Sequence, residues 1–357
     1  MSSLPTRASA HSNGLPSQSV LSVRDLHASF ETSSEVVRAV RGVSFDLAKG
    51  ERLGLVGESG SGKSALALSI AGLLEPPGQV ERGEIWLAGR NLVGLPEREM
   101  RRIRGKTVGV VFQDALSGLN PVKTVGSQIV ESIRTHNPSA SRKAASRRAV
   151  ELLSEVGIPA AERRANEYPH QYSGGMRQRV MIAMAIANEP ELLIADEPTT
   201  ALDVTTQAQI LRLLERMTAS HGCAVIFITH DLGIVAGFCE SVCVMYAGRI
   251  VERSTVEQIF SSPVHPYTEA LLRAIPGAEP MSRTSRRLTE ISGSPPNLAH
   301  LPRGCAFEPR CFLGHENETC IEQPPEPVVL TGTGQPLMAE CHFALDRFKA
   351  LSTARDA

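Results

Sequence analysis

The stretch Gly57-Glu-Ser-Gly-Ser-Gly-Lys-Ser64 limits what this chain can fold into more than any other. Its spacing, G-x-x-x-x-G-K-[ST], is that of a loop that cradles phosphates, and the flanking sequence agrees with it. Arg52-Leu-Gly-Leu-Val56 reads as a short buried strand before the loop. Ala65 to Leu74 reads as an apolar helix after it, closed by Glu75-Pro-Pro-Gly78. Glycines allow the tight turn that aims successive backbone N–H groups into one concavity, where an anion sits. The helix adds unpaired N-terminal amides and the positive end of its dipole. Lys63 brings a charge to the β- and γ-phosphates, and the Ser64 hydroxyl brings a ligand for Mg²⁺. Gly57, Ser59, Gly60, Ser61, Gly62, Lys63, Ser64 and Ala65 are therefore the expected nucleotide-binding residues. Such a chain is expected to bind a nucleoside triphosphate.

With 357 residues, one large domain and a smaller one are expected. A net charge of −1 lacks the basic excess of a nucleic-acid-binding protein, so no nucleic-acid partner is expected. No apolar run approaches the ~18–20 residues that cross a bilayer. Residues 1 to 19 are rich in Ser, Pro, His and Asn and have no apolar segment of the secretory kind. They are expected to be a disordered tail. A cytosolic location follows, where the seven cysteines stay reduced.

Val20 to Phe30 and Val36 to Leu47 alternate apolar and polar residues, as strands of an antiparallel layer do. Phe30 is either a stacking surface for a purine ring or a core aromatic at a strand end. Gly83 to Gly89 repeats the hairpin pattern, with Trp86 read as core. Val108-Gly-Val-Val-Phe112 is an apolar strand ending at Gln113, and carboxyl ends of such strands are where α/β folds bind ligands. Thr124 to Arg134 and Ser141 to Val156 read as amphipathic helices, the second with a basic, solvated face. Tyr172-Ser-Gly-Gly-Met176 opens a further helix to Asn188, and Ser173, Gly174 and Gly175 form a second anion-binding helix start.

Leu192-Leu-Ile-Ala-Asp196-Glu197 is an apolar strand ending in two carboxylates. Asp196 is placed to hold Mg²⁺ through its water shell. Glu197 is placed to orient and deprotonate a water. Asp203 precedes a helix over 206–218, and the strand Ala224 to Thr229 ends at His230, a candidate partner for the γ-phosphate. Val242 to Glu252 reads as a closing hairpin.

The phosphate loop, Gln113, Ser173-Gly174-Gly175, Asp196-Glu197, Asp203 and His230, in this order, resemble the ATPase domain of ABC-type proteins. The resemblance implies a P-loop NTPase fold: a RecA-like α/β core, an antiparallel β subdomain and a helical subdomain over about 114–172. It makes Gln113 a sensor of Mg²⁺, Glu197 the general base and His230 a γ-phosphate contact. Ser64, Gln113 and Asp196 become the Mg²⁺ site, Ser173 to Gly175 face a partner chain's nucleotide, and Asp203 counts among the nucleotide-binding residues. The signature departs from the commonest family form at Tyr172 and Met176. Ser33-Ser-Glu-Val-Val37 stands where the family usually has an adenine-stacking aromatic.

The last hundred residues narrow the resemblance. His265-Pro-Tyr-Thr268, Ala270-Leu-Leu272, Ile275-Pro276, Ser294-Pro-Pro-Asn-Leu298 and Gly304-Cys-Ala-Phe-Glu-Pro-Arg-Cys311 resemble the C-terminal extension of oligopeptide and dipeptide importer ATPases. The division this implies is a tail over 1–19, an ATPase domain over 20–260 and an irregular extension over 261–357. Cys305, Cys311, Cys320 and Cys341 are separated by five, eight and twenty residues, a set that suits an iron–sulfur cluster or zinc. The resemblance selects a [4Fe–4S] cluster, with zinc as the fallback and His315 and His342 as possible substitutes in a zinc site. It also implies ATP hydrolysis at the cytoplasmic face of a membrane, driving uptake of short peptides. Implied partners are a second, paralogous ATPase, two transmembrane permease subunits and an extracytoplasmic solute-binding protein. Nickel or another small solute is the alternative cargo. A soluble ABC ATPase acting on DNA or ribosomes is the alternative class. Against it stand the single phosphate loop and the lack of heptads and basic excess.

Overall fold

The structure, a computed structural model, describes residues 19–114, 118–199, 202–275, 291–331 and 336–355. The expected tail over 1–19 lies outside the described residues except for Ser19, which begins the first strand, and Pro276 lies outside them too. In chain order the strands are β1 (Ser19–Glu31), β2 (Val36–Ala48), β3 (Arg52–Val56), β4 (Gly78–Leu87), β5 (Arg90–Asn91), β6 (Val108–Val111), β7 (Leu192–Asp196), β8 (Ala224–Thr229), β9 (Ser241–Tyr246), β10 (Arg249–Thr255), β11 (Val328–Leu330) and β12 (Leu337–Ala339).

They form two sheets. The first is antiparallel, in the order β2-β1-β4-β5. Alternation in β1 and β2 sends Leu21, Val23, Phe45 and Leu47 into a core shared with the helix Lys63–Ala71. The second has the order β11-β12-β10-β9-β3-β8-β7-β6. Its β9-β3-β8-β7-β6 part is parallel throughout. Strands buried on both faces read as unbroken apolar runs, and all six residues of β8 are buried for that reason. The parallel strands point the same way, so Gly57, Gln113, Glu197 and His230, which follow β3, β6, β7 and β8, share the carboxyl edge.

Helices Val125–His136, Arg142–Glu155 and Gly174–Ile186 pack Ile129, Ile133, Leu152, Leu153, Val180 and Ile182 into one apolar cluster with the second sheet. The basic face of Arg142–Glu155 is solvated, with Arg148 paired to Glu155 at 2.6 Å. Among the described residues no helix is long and apolar enough to cross a membrane.

Among the expectations that change, Trp86 is half-exposed rather than core, its Nε1 donating to Glu84 at 2.8 Å. The helix after the phosphate loop ends at Ala71 rather than Leu74, because Gly72 adopts φ 63° and its N–H returns to the Ser69 carbonyl. The C-terminal extension is more regular than expected. Its β12 pairs with β10 (Glu252↔Ala339) and β11 pairs with β12, widening the main sheet. Val264, Leu330, Leu337, Ala339 and Ala344 form an apolar cluster there, beside a helix Ala344–Arg355.

Candidate nucleotide site

The loop between β3 and the helix Lys63–Ala71 passes so close to its neighbours that two of its positions demand glycine. A Cβ on Gly57 (φ 151°) would sit 2.2 Å from the Met245 carbonyl oxygen, and one on Gly62 (φ 106°) 2.2 Å from that of Ala39. Lys63 curls into the loop, and its Nζ donates to the carbonyls of Gly57 and Glu58, each at 2.8 Å. Burial lowers the Lys63 pKa, while the carboxylates of Glu197, Asp196 and Glu58 work against that shift.

Asp196 ends β7 with Oδ1 buried and without a hydrogen-bond partner. Burial raises its pKa, and a hydrogen bond from Ser64 and the charge of Lys63 oppose the rise. A desolvated carboxylate oxygen lacking a donor, beside a serine hydroxyl, is a hard-oxygen set that fits Mg²⁺. Glu197 follows at φ 45°, its N–H bonded to the Ile228 carbonyl at 3.0 Å. Its carboxylate accepts from Gln113 Nε2 at 3.1 Å and lies 3.3 Å from His230 Nδ1. The strand ends thus bring Gln113 and His230, both predicted from sequence, into contact with Glu197.

Lys63, Ser64, Gln113, Glu197 and His230 line one cleft of about 840 Å³, large enough for a cofactor-sized ligand. Ser59, Gly60, Gly62 and Ala65 line it too, as does Phe30 together with Val37. Pro295 and Leu298 reach the same cleft from the C-terminal region, a contribution that spacing in the sequence did not reveal.

Ser173, Gly174, Gly175 and Asp203 do not line this cleft. Ser173 caps the helix Gly174–Ile186 by accepting from the Met176 N–H, and Gly174 faces open space. Asp203 caps the helix Val204–His221, accepting from the Thr206 N–H at 2.9 Å and its hydroxyl at 2.7 Å, which holds the Asp203 carboxyl below its ordinary range. Gly175 meets Thr206, so the two helix starts pack side by side on an exposed surface.

Comparison with known proteins gives this geometry a family. The ABC transporter family pattern matches residues 40–200, and the pattern for the oligopeptide/dipeptide transporter C-terminal region matches residues 251–320. The oligopeptide transport ATP-binding protein OppD of Haemophilus influenzae is 49% identical over 329 residues, 92% of this chain and 98% of that protein. The chain belongs to the ATP-binding subunits of the oligopeptide/dipeptide ABC transporter family. OppD of Bacillus subtilis is 54% identical over 289 residues, 81% of this chain and 80% of its own length. A dimeric ATP-binding cassette solved in a post-hydrolysis state with ADP and Pi has a TM-score of 0.60 at 30% identity, covering 66% of this chain and 98% of its own. As a member of this family the chain is an ATPase.

In this ABC ATPase, Cys305, Cys311, Cys320 and Cys341 line a single small cavity, next to His342 and Phe343. Burial pushes the Cys305 thiol up to about 12 and Cys341 to about 11, and in both the other thiols add to the rise. The expected metal site is nonetheless not formed as it stands: no group of three or more His, Cys, Asp or Glu side chains among the described residues is arranged to hold a metal ion. The two possible substitutes are engaged elsewhere, His342 with the Gln323 carbonyl and His315 with Glu308. Cys223, Cys239 and Cys243 are buried free thiols in the core.

Proposed function

We propose that this chain hydrolyses ATP to power the import of short peptides through a membrane ABC transporter, acting from the cytoplasmic face. The observation that carries the reading is the Glu197 carboxylate, held between Gln113 and His230 in the cleft that Lys63 and Ser64 also line. The loop amides of residues 57–65 and the Lys63 ammonium bind the β- and γ-phosphates. Ser64, Gln113 and the partnerless Asp196 oxygen would hold Mg²⁺, which when bound would supply charge neutralisation at the phosphate oxygens. Glu197 takes a proton from the attacking water as the new O–P bond forms and the bond from the γ-phosphorus to the ADP oxygen breaks. His230 contacts the γ-phosphate, and Phe30 offers its ring to the adenine. Ser173, Gly174 and Asp203, exposed, and Gly175, half-buried, lie outside the cleft and act on the nucleotide of a second ATPase subunit, which we take to be a paralogous chain. Two permease subunits and a solute-binding protein complete the assembly. Glu197→Gln should bind ATP normally and lose about 10²–10⁴-fold in turnover, read as phosphate release by the assembled complex. Wild-type turnover in that variant would remove Glu197 as the base.

The four C-terminal cysteines form the second part of the proposal: they ligate one [4Fe–4S] cluster of structural role, with zinc as the fallback. In support, they line one cavity, and four converging cysteine sulfurs are a donor set that gives up its thiol protons to a bound metal. The side chains would draw together around the metal. Anaerobically purified protein should absorb broadly near ~400 nm, and Cys320→Ser should abolish the band. Colourless protein free of iron and zinc, with all four thiols open to alkylation, would end this part.

A further inference from the structure

The second residue of the phosphate loop is held from outside the ATPase core. Glu58 receives a bidentate ion pair from Arg310, Nη1 to Oε2 at 2.7 Å and Nη2 to Oε1 at 2.9 Å. The Arg310 side chain is 5% exposed and Glu58 23%, so the pair is largely shielded from water. Arg310 is fixed in turn, its Nε donating to the Ser292 carbonyl at 2.8 Å. The Glu58 N–H donates to the Tyr267 hydroxyl at 2.8 Å. Tyr267 is fully buried and packs its ring against Tyr246 and Phe307, at 4.5 and 5.3 Å between centroids. The Glu58 carbonyl is one of the two that hold Lys63 Nζ. One residue therefore joins the C-terminal region to the phosphate-binding lysine. The same region sends Pro295 and Leu298 into the cleft that Phe30 and Val37 line.

We propose that the C-terminal region completes the nucleotide site: Arg310 and Tyr267 are positioning residues that set the phosphate loop through Glu58, and Leu298 with Pro295 is an apolar wall for the nucleobase. The proposal rests on the cleft being the ATP site. The two parts act on different ends of the ligand. A bidentate guanidinium clamp fixes the plane of a carboxylate, which a single ammonium does not. Losing one partner of a shielded pair leaves a charge unpaired, so the loop shifts to solvate it and Lys63 moves with it. Removing both partners takes away that drive. An aliphatic side chain beside the base contributes contact area that a phosphate chain does not use.

The test compares Mg-ATP with magnesium tripolyphosphate, which lacks base and ribose, by calorimetric titration of the full chain. Arg310→Met should weaken both ligands by about tenfold. Arg310→Lys should recover part of the loss, and Glu58→Gln combined with Arg310→Met should bind better than Arg310→Met alone. In the assembled ATPase the change should fall on KM, with kcat at saturating ATP little altered. Leu298→Asp should weaken ATP by about tenfold and leave tripolyphosphate binding unchanged. If Arg310→Met does not fold, Tyr267→Phe removes only a hydroxyl and should weaken both ligands several-fold. Wild-type affinities in folded Arg310→Met and Tyr267→Phe would overturn the positioning role. Equal loss of both ligands in Leu298→Asp would overturn the nucleobase wall. Failure of the wild-type chain to bind Mg-ATP would instead overturn the assignment of the cleft.

Discussion

Glu197 sits in a left-handed backbone conformation, φ 45°, that non-glycine residues adopt only where the surroundings hold them. Its N–H is tied to β8 and its carboxylate to Gln113 and His230, and those bonds fix the side chain. The residue types and their order were legible in the sequence, because each falls at the end of a buried strand. The orphaned Asp196 oxygen was not legible, since it depends on which donors fail to reach it. Two buried groups away from the cleft make a prediction at this scale. Burial raises the Glu252 pKa from 4.5 to about 7, against N–H bonds from Val264 and His265 and the charge of Arg347. Burial also lowers the His265 pKa from 6.5 to about 3, and Arg347 adds to that drop. Between pH 4.5 and 7 the folded protein keeps a Glu252 proton that the unfolded chain releases, so that stability declines as pH rises. Between pH 6.5 and 3 the unfolded chain takes a His265 proton that the folded protein refuses, so that stability declines as pH falls. The two trends oppose each other from pH 4.5 to 6.5. Glu252→Gln should leave only the second, with unfolding free energy falling by up to about 1.4 kcal/mol per pH unit on acidification. His265→Asn should leave only the first. Denaturant titrations with the same pH slope in wild type and both variants would contradict this.

Elements were read well where the signal is local. The limits of β3 and β8 match the runs Arg52–Val56 and Ala224–Thr229, because a strand covered on both faces reads as a near-continuous apolar stretch between its ends. The extension was read poorly. Strands β11 and β12 are three residues each, too short to carry a period, and they exist because β10 offers an edge. Arg310 and Glu58 are 252 residues apart in the chain, so no spacing rule connects them. The phosphate loop makes the sharpest prediction at this scale. Its glycines answer to backbone oxygens on β9 and β2, and those cannot give way as a flexible side chain would. Gly62→Ala should therefore abolish measurable Mg-ATP binding and cost about 1–3 kcal/mol in unfolding free energy. An alanine variant with wild-type affinity in the same titration would show that the close approach to Ala39 does not shape the loop.

At the scale of the whole molecule, the exposed helix starts at Ser173 and Asp203 do not line the cleft, and on the proposed reading each subunit is half of a site. A helix start without a ligand on its own chain gains one when a second ATPase subunit brings its nucleotide there. The C-terminal region belongs to the same design, since it widens the central sheet and grips the phosphate loop from behind. Hydrolysis and peptide movement should then stand or fall together, with one carboxylate controlling both. The most direct measurement is uptake of a labelled short peptide into proteoliposomes that carry the complete transporter and its solute-binding protein, with ATP supplied on the side of the ATPase subunits. The wild-type complex should accumulate peptide in proportion to phosphate released, and a complex carrying Glu197→Gln should bind ATP yet do neither beyond a small fraction of that rate. Peptide accumulation at the wild-type rate in the Glu197→Gln complex, or none in a wild-type complex that hydrolyses ATP, would contradict the account.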